Sequence, residues 1–310
     1  MPLGPGTSEL TPTLVDPPRM PARVDTVRRQ FERRAARFQR HDAIVREVGR
    51  RLVERLDVMR IEPRLIADVG CGAGGSREAL LARCGGARWV GVDISGAMLA
   101  GAVPASGLSR LLPWRGPRAH AVCAEAAALP LADGSVDLLF SNLMLHWHPQ
   151  PHTVFPEWMR VLRVDGLLLF SCFGPDTLAE LRRACAAAGL DARPMPFIDM
   201  HDFGDMMLAA GFATPVMDAE TIRLTYSSPQ ALLREVRALG GNPRDDRATG
   251  LVAGGRARAL LAALDGMRDA EGRIALTFEI AYGHAWKPQP RVGGQSTVSL
   301  DRLRAQLRRS

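Results

Sequence analysis

Residues 65–75 read LIADVGCGAGG: an apolar run of strand length, carrying one acid at Asp68, breaks directly into glycines at 70, 72, 74 and 75. Glycine lets a backbone turn tightly and approach a ligand with no Cβ in the way. A strand ending in such a loop opens a β-loop-α-β unit. A helix is predicted from near Ser76, and a second apolar run, ARWVGVDIS, then ends in Asp93, at a separation that suits a parallel crossover. Further strands are expected at residues 119–124, 136–141 and 166–173, alternating with helical stretches at 97–102, 153–162 and 177–189. That alternation predicts an α/β fold with a doubly wound, mainly parallel, Rossmann-like sheet.

Flanking segments read differently. Residues 1–23 are rich in Pro, Thr and Gly and are expected to be a disordered leader, and residues 291–310 a tail. Between the leader and the first strand, residues 24–60 are arginine-rich at helical spacing, with Val27, Phe31, Ala35, Phe38 and Ile44 on a partly apolar side. This suits a helical lid or a docking helix for an acidic partner, and equally a solvated amphipathic helix packed on the domain. The binding core is expected over 61–190. Residues 191–290 should add cap helices and closing strands to the same domain: a helix in MHDFGDMMLAAGF, a strand in VMDAETIRLTY, helices in PQALLREVRALGG and around 257–268, and a long closing strand in RIALTFEIAYGHAWK. The layout predicts a sheet ending in an antiparallel edge strand, with the last helices inserted as a cap over the ligand crevice.

Charge and cysteine usage narrow the function. The net charge is +7, and Lys287 is the sole lysine, so arginine carries nearly all of the positive charge. The arginine segment has no interleaved exposed aromatics and no nucleic-acid motif follows it, which argues against a nucleic-acid partner. No apolar run has membrane-spanning length, and five scattered cysteines without a CxxC pair fit reduced thiols, so a cytoplasmic protein is expected. The cluster HWHPQPH brings His146, His148 and His152 close in sequence. Pro149 and Pro151 prevent a regular element from aligning them and no acid or cysteine is interleaved, so no metal site is expected.

The glycine loop by itself leaves two cofactors open. Gly70, Gly72 and Gly75 satisfy GxGxxG, and Asp93 is placed for a ribose diol, as in nicotinamide dinucleotide enzymes. Asp68 tilts the balance towards S-adenosyl-L-methionine, because a carboxylate there can hold an ammonium group but is unwelcome beside a pyrophosphate. Glu125, at the end of the third strand, is placed to accept from an adenine amino group.

DVGCGAG, GVDIS, AEAAALPLADGSVDLLFSN and RVLRVDGLLLFSCFG together resemble the class I S-adenosylmethionine-dependent methyltransferases in order and spacing. The resemblance implies a methionine end held by Asp68, Gly70, Cys71 and Gly72, ribose hydroxyls on Asp93, and adenine beside Ile94, Glu125 and Ala126, with Asn142 also at the cofactor. For Ile94 and Ala126 plain packing is the competing reading. Downstream, SNLMLHW, FGPDTLAELRRA, DMHDFGDMMLAAGFATPVMDAETIRLTY, ALLREVRALGGN and FEIAYGHAWKP are similar to the malonyl-[acyl-carrier protein] O-methyltransferases of biotin synthesis, from about residue 27 to residue 288. Two departures stand out. Phe38 replaces a usual tyrosine, and LRVDG replaces the common LRPGG turn.

That resemblance implies carboxyl O-methylation of a malonyl thioester, whose free carboxylate is ionised at neutral pH and needs no strong base. His146 and Trp147 become candidate walls of the transfer pocket, although a helix cap and a core indole explain them as well. Arg182, or its neighbour Arg183, is the candidate cation for the malonyl carboxylate. The acidic carrier protein would be the partner of a monomeric enzyme. Alternatives are an enzyme like the complex I assembly factors, which share the LHW pattern and modify a partner protein, a small-molecule methyltransferase, and a non-catalytic cofactor-binding scaffold.

Overall fold

The computed structural model describes residues 23–38, 40–103, 119–190, 197–240 and 254–290; nearly all of the expected leader and the whole tail lie outside the described residues. Among the described residues seven strands form one sheet: β1 (Leu65–Val69), β2 (Arg88–Asp93), β3 (Ala119–Cys123), β4 (Val136–Asn142), β5 (Leu162–Phe173), β6 (Ala213–Tyr226) and β7 (Ile274–Trp286). Their order is β3-β2-β1-β4-β5-β7-β6. The pairs β1/β2, β2/β3, β1/β4 and β4/β5 are parallel, while β7 runs antiparallel to both β5 and β6. The chain winds outward in one direction through β2 and β3 and returns to start again at β4, so β1 and β4 flank the switch point where such sheets bind ligands.

Helices cover both faces: α1 (Val24–Phe38), α2 (Ala43–Glu54), α3 (Arg77–Arg83), α4 (Gly96–Leu99), α5 (Val154–Val161), α6 (Ala179–Ala187), α7 (Met200–Ala209), α8 (Pro229–Ala238) and α9 (Gly254–Asp265). One core layer joins Ile44, Val48 and Leu52 of α2 to Leu138, Phe140, Leu167 and Leu169 of the sheet. The other joins Phe155 and Trp158 of α5 and Phe203 and Met207 of α7 to Leu139, Leu168 and Phe170. Because β4 is covered on both faces, its side chains are buried from Val136 to Ser141, which explains why VDLLFS shows no polar alternation. Its one acid, Asp137, accepts from the backbone N–H groups of Arg64 and Leu65 and pairs with Arg163, anchoring the start of β1.

Four expectations need correction. The arginine segment forms two helices, not one, and the break at residues 40–42 contains neither glycine nor proline. It sits where His41 meets Glu235 of α8, with Nδ1 2.8 Å from Oε2. The antiparallel strand is not the edge. The closing strand β7 inserts between β5 and β6, so the edge is β6, whose Asp218, Glu220 and Arg223 suit an exposed position. Of the inserted helices only α8 reaches the crevice, through Leu239 just beyond its last turn; α9 packs on α6 and α8. β5 also starts earlier than expected, at Leu162, because the chain stays extended through a bulge in which Asp165 takes φ +60°. Aspartate tolerates that left-handed conformation better than most residues, so LRVDG performs the turn expected of it.

Candidate active site

A crevice of about 420 Å3 opens at the carboxyl ends of β1, β2 and β4. Its floor is the glycine loop. Gly70, Gly72 and Gly74 all have positive φ, and a Cβ on Gly70 would lie 2.1 Å from Cγ of Met144, so the loop closes only with glycine there. Asp68, Cys71, Asp93, Ile94, Glu125, Ala126 and Asn142 line the same space, which the sheet brings together from four strand ends.

The acids differ in their surroundings. Asp68 is 2% exposed and accepts one side-chain bond, from Nε1 of Trp89 at 3.2 Å. Burial pushes its carboxyl up to about 7, with the nearby Asp93 adding to the rise. Trp89 reaches it because Gly91, next on that face of β2, has no side chain: a Cβ there would stand 2.1 Å from the indole. Asp93 is tied to the loop, with Oδ2 accepting from Gly72 N at 2.9 Å and Oδ1 from Ser95 N at 2.9 Å. Burial raises its carboxyl above the ordinary range, against the pull of those backbone donors. Glu125 Oε1 faces His148 Nε2 at 2.7 Å. Burial pushes the Cys71 thiol far up, so it is no nucleophile.

The opposite wall is α1. Val24, Val27, Phe31 and Phe38 face the crevice, and Phe31 meets Trp147 edge to face at 5.2 Å. Trp147 in turn presses on Gly240, where a Cβ would come within 2.3 Å of the indole, and Arg34 donates to the Gly240 carbonyl. The N-terminal helix is therefore built into the crevice, packing on α4 and α8 at its two sides.

Comparison with known proteins assigns the family. The family model described as "Methyltransferase domain" matches residues 67–170. The malonyl-[acyl-carrier protein] O-methyltransferase of Laribacter hongkongensis is 43% identical over 270 residues, covering 86% of this chain and 90% of the relative. The enzyme of that name from Methylovorus sp. is 40% identical over 267 residues, with the same coverage of each. The chain belongs to the malonyl-[acyl-carrier protein] O-methyltransferase family. Among solved structures, the YcgJ protein of Bacillus subtilis superposes with a TM-score of 0.52 at 16% identity, over 77% of this chain and 98% of that one. Phosphoethanolamine N-methyltransferase 2 of Haemonchus contortus gives a TM-score of 0.51 at 16% identity, over 85% of this chain and 60% of that one. Both likenesses are of fold.

Arg182, Arg183 and His146 fall differently from the sequence reading, since none of the three lines the crevice. Arg182 does not line the crevice: its guanidinium donates to the carbonyls of Thr177 and Pro175 at 2.6 and 2.7 Å, clasping the loop before α6. Arg183 points away too, 69% exposed beside Glu180. The arginines that do line the crevice are Arg46 and Arg77. His146 lies behind the wall, 4% exposed among Trp147, Phe173 and Phe197, and burial lowers its pKa to about 3, so it stays neutral. Asn142 is at the crevice, but its amide donates to Val45 O and accepts from Ser171 Oγ, each at 2.8 Å, which ties α2 to the sheet. Gly49 allows this approach, since a Cβ there would meet Asn142 Nδ2 at 2.9 Å.

Met206, Met207 and Phe203 of α7 pack in the core layer with α5 and do not line the crevice. Trp89, Gly91 and Met144 were missed by sequence reasoning. The pairing of Trp89 with Gly91 at positions i and i+2 of a strand was the available signal, because alternation puts both on one face.

Proposed function

We propose that this chain transfers the methyl group of S-adenosyl-L-methionine to the free carboxylate of a malonyl group borne by an acyl-carrier protein, the reaction at the start of pimeloyl (biotin) synthesis. The observation that carries this is family membership at about 40% identity across 86% of the chain, with the crevice placed at the switch point of the sheet. The donor, when bound, supplies an electrophilic methyl on a sulfonium. The crevice suits it: a turn built on positive-φ glycines, with the buried Asp68 and the partly buried Asp93 beside it.

In this reading Asp68 takes the ammonium group, for which a poorly partnered, desolvated carboxyl is a good receptor. Asp93 keeps lone pairs for the ribose hydroxyls while its two backbone donors hold the loop in shape. Ile94 and Ala126 flank the adenine and Glu125 accepts from its amino group. The malonyl carboxylate is its own nucleophile, so the protein's task is alignment and exclusion of water, and Phe31, Trp147 and Phe173 provide an apolar wall for it. His146 supports Trp147 and Phe173 from behind.

The partner reading draws on α1. Its outer face carries Arg29, Arg33 and Arg37 at four-residue spacing, all exposed, an arrangement that repels itself along a helix and favours an acidic protein surface. The enzyme is taken to act as a cytoplasmic monomer; among the described residues no helix is long and apolar enough to cross a membrane. Intact-mass spectrometry tests the function: malonyl-acyl-carrier protein should gain one methyl in the presence of enzyme and donor, and acetyl-carrier protein none. No gain with donor binding intact would refute the substrate assignment and favour methylation of another protein.

A further inference from the structure

The turn after β4 is rich in histidine, and among the described residues no group of three or more His, Cys, Asp or Glu side chains is placed to hold a metal ion. One of its histidines has another partner. His148 Nδ1 accepts from the backbone N–H of Gln150 at 3.1 Å, so the ring proton of the neutral imidazole resides on Nε2. That Nε2–H faces Glu125 Oε1 at 2.7 Å and donates to it. Ala127 N donates to the same oxygen at 3.3 Å. Both residues line the crevice, with the His148 side chain 9% and the Glu125 side chain 33% exposed. Pro149 and Pro151 on either side of Gln150 restrict the backbone that presents the Gln150 N–H.

All of the donors to Glu125 among the described residues thus converge on Oε1, and Oε2 accepts from none of them. We infer that His148 is a positioning residue: it fixes the Glu125 carboxylate so that Oε2 selects a purine carrying a 6-amino group. This rests on the placement of adenine beside Glu125 given above. A 6-amino group donates to Oε2, whereas a 6-oxo group sets one acceptor against another and leaves a partly buried carboxylate unpaired. Without His148 the carboxylate can rotate and hydrate, and the contrast between the two bases shrinks.

Calorimetric binding of S-adenosylhomocysteine and S-inosylhomocysteine to the full chain tests this, because base discrimination is a ratio that a purely structural role for His148 would leave unmoved. The wild type should prefer the adenosyl ligand by about tenfold or more, the loss expected from one charge-assisted hydrogen bond. His148→Ala should reduce that preference at least about threefold, through weaker adenosyl binding, and His148→Gln should restore it by returning an N–H near Nε2. Should the alanine variant not fold, His148→Met against His148→Gln makes the same comparison at matched length. A wild-type preference retained in the alanine or methionine variant overturns the role of His148 alone. A wild type without preference overturns the Glu125 assignment as well.

Discussion

Asp68→Asn should change how stability depends on pH, and the structure sets both sign and size. Folding moves this carboxyl from its ordinary value near 3.8 to about 7, mainly by burial. A pKa raised on folding means that the protonated form is favoured in the folded state. The contribution is therefore fully present below pH 4 and is lost as pH rises through 7. At 1.36 kcal/mol per pH unit, the charged group costs the ligand-free protein about 2 kcal/mol at pH 5 and about 4 kcal/mol at pH 8. Asparagine keeps an acceptor for Trp89 but has no charge to bury, so relative to wild type the variant should gain about 2–3 kcal/mol between pH 5 and pH 8, whatever fixed penalty its new amide incurs. Urea denaturation without cofactor at the two pH values measures it, urea being uncharged. Parallel stability profiles for the two proteins would refute the argument. With cofactor the effect should invert in use: a cation beside Asp68 favours the ionised form, so wild-type affinity for S-adenosylmethionine should strengthen over the same interval and that of the variant should not.

Asp93→Ala should weaken cofactor binding by about tenfold or more while the protein stays folded, since it removes the acceptors proposed for the ribose and the tie to Gly72 but no core packing; an unchanged dissociation constant in calorimetry would take Asp93 out of the proposed site. Gly70→Ala puts a Cβ 2.1 Å from Met144 at a φ of +77°, and should cost about 2–4 kcal/mol by thermal melting. Reversing Arg29, Arg33 and Arg37 to glutamate should raise KM for malonyl-acyl-carrier protein several-fold, with malonyl-coenzyme A turnover unaffected; equal effects on both would show that α1 does not read the protein partner.

Much of the site was legible because it is local. Asp68, Gly70, Gly72, Asp93 and Glu125 each stand at the carboxyl end of a strand or in the loop after it, and the alternation of strand and helix makes those ends converge without knowledge of any side-chain contact. Glycine at 70 announces its own conformation, since few other residues adopt it. Arg182 and His146 were misplaced for the complementary reason: both lie within motifs of the right family, and a motif does not say whether a side chain faces the crevice or the carbonyls behind it. Arg182 lies one helical turn beyond Leu178, which takes φ +63°, and it is spent on the loop that this bend creates.

The sequence by itself determined the class of fold, the glycine loop after β1 and the acids that stand beside it, because these follow from periodicity and from what glycine and proline permit over a few residues. The tertiary structure alone decided that the arginine segment breaks at residues 40–42, that β7 slips between β5 and β6, and that α1 becomes a wall of the crevice. Each of those depends on a partner far away in the chain, Glu235 for His41 and Gly240 for Trp147, and the free energy of such contacts has no trace in local spacing.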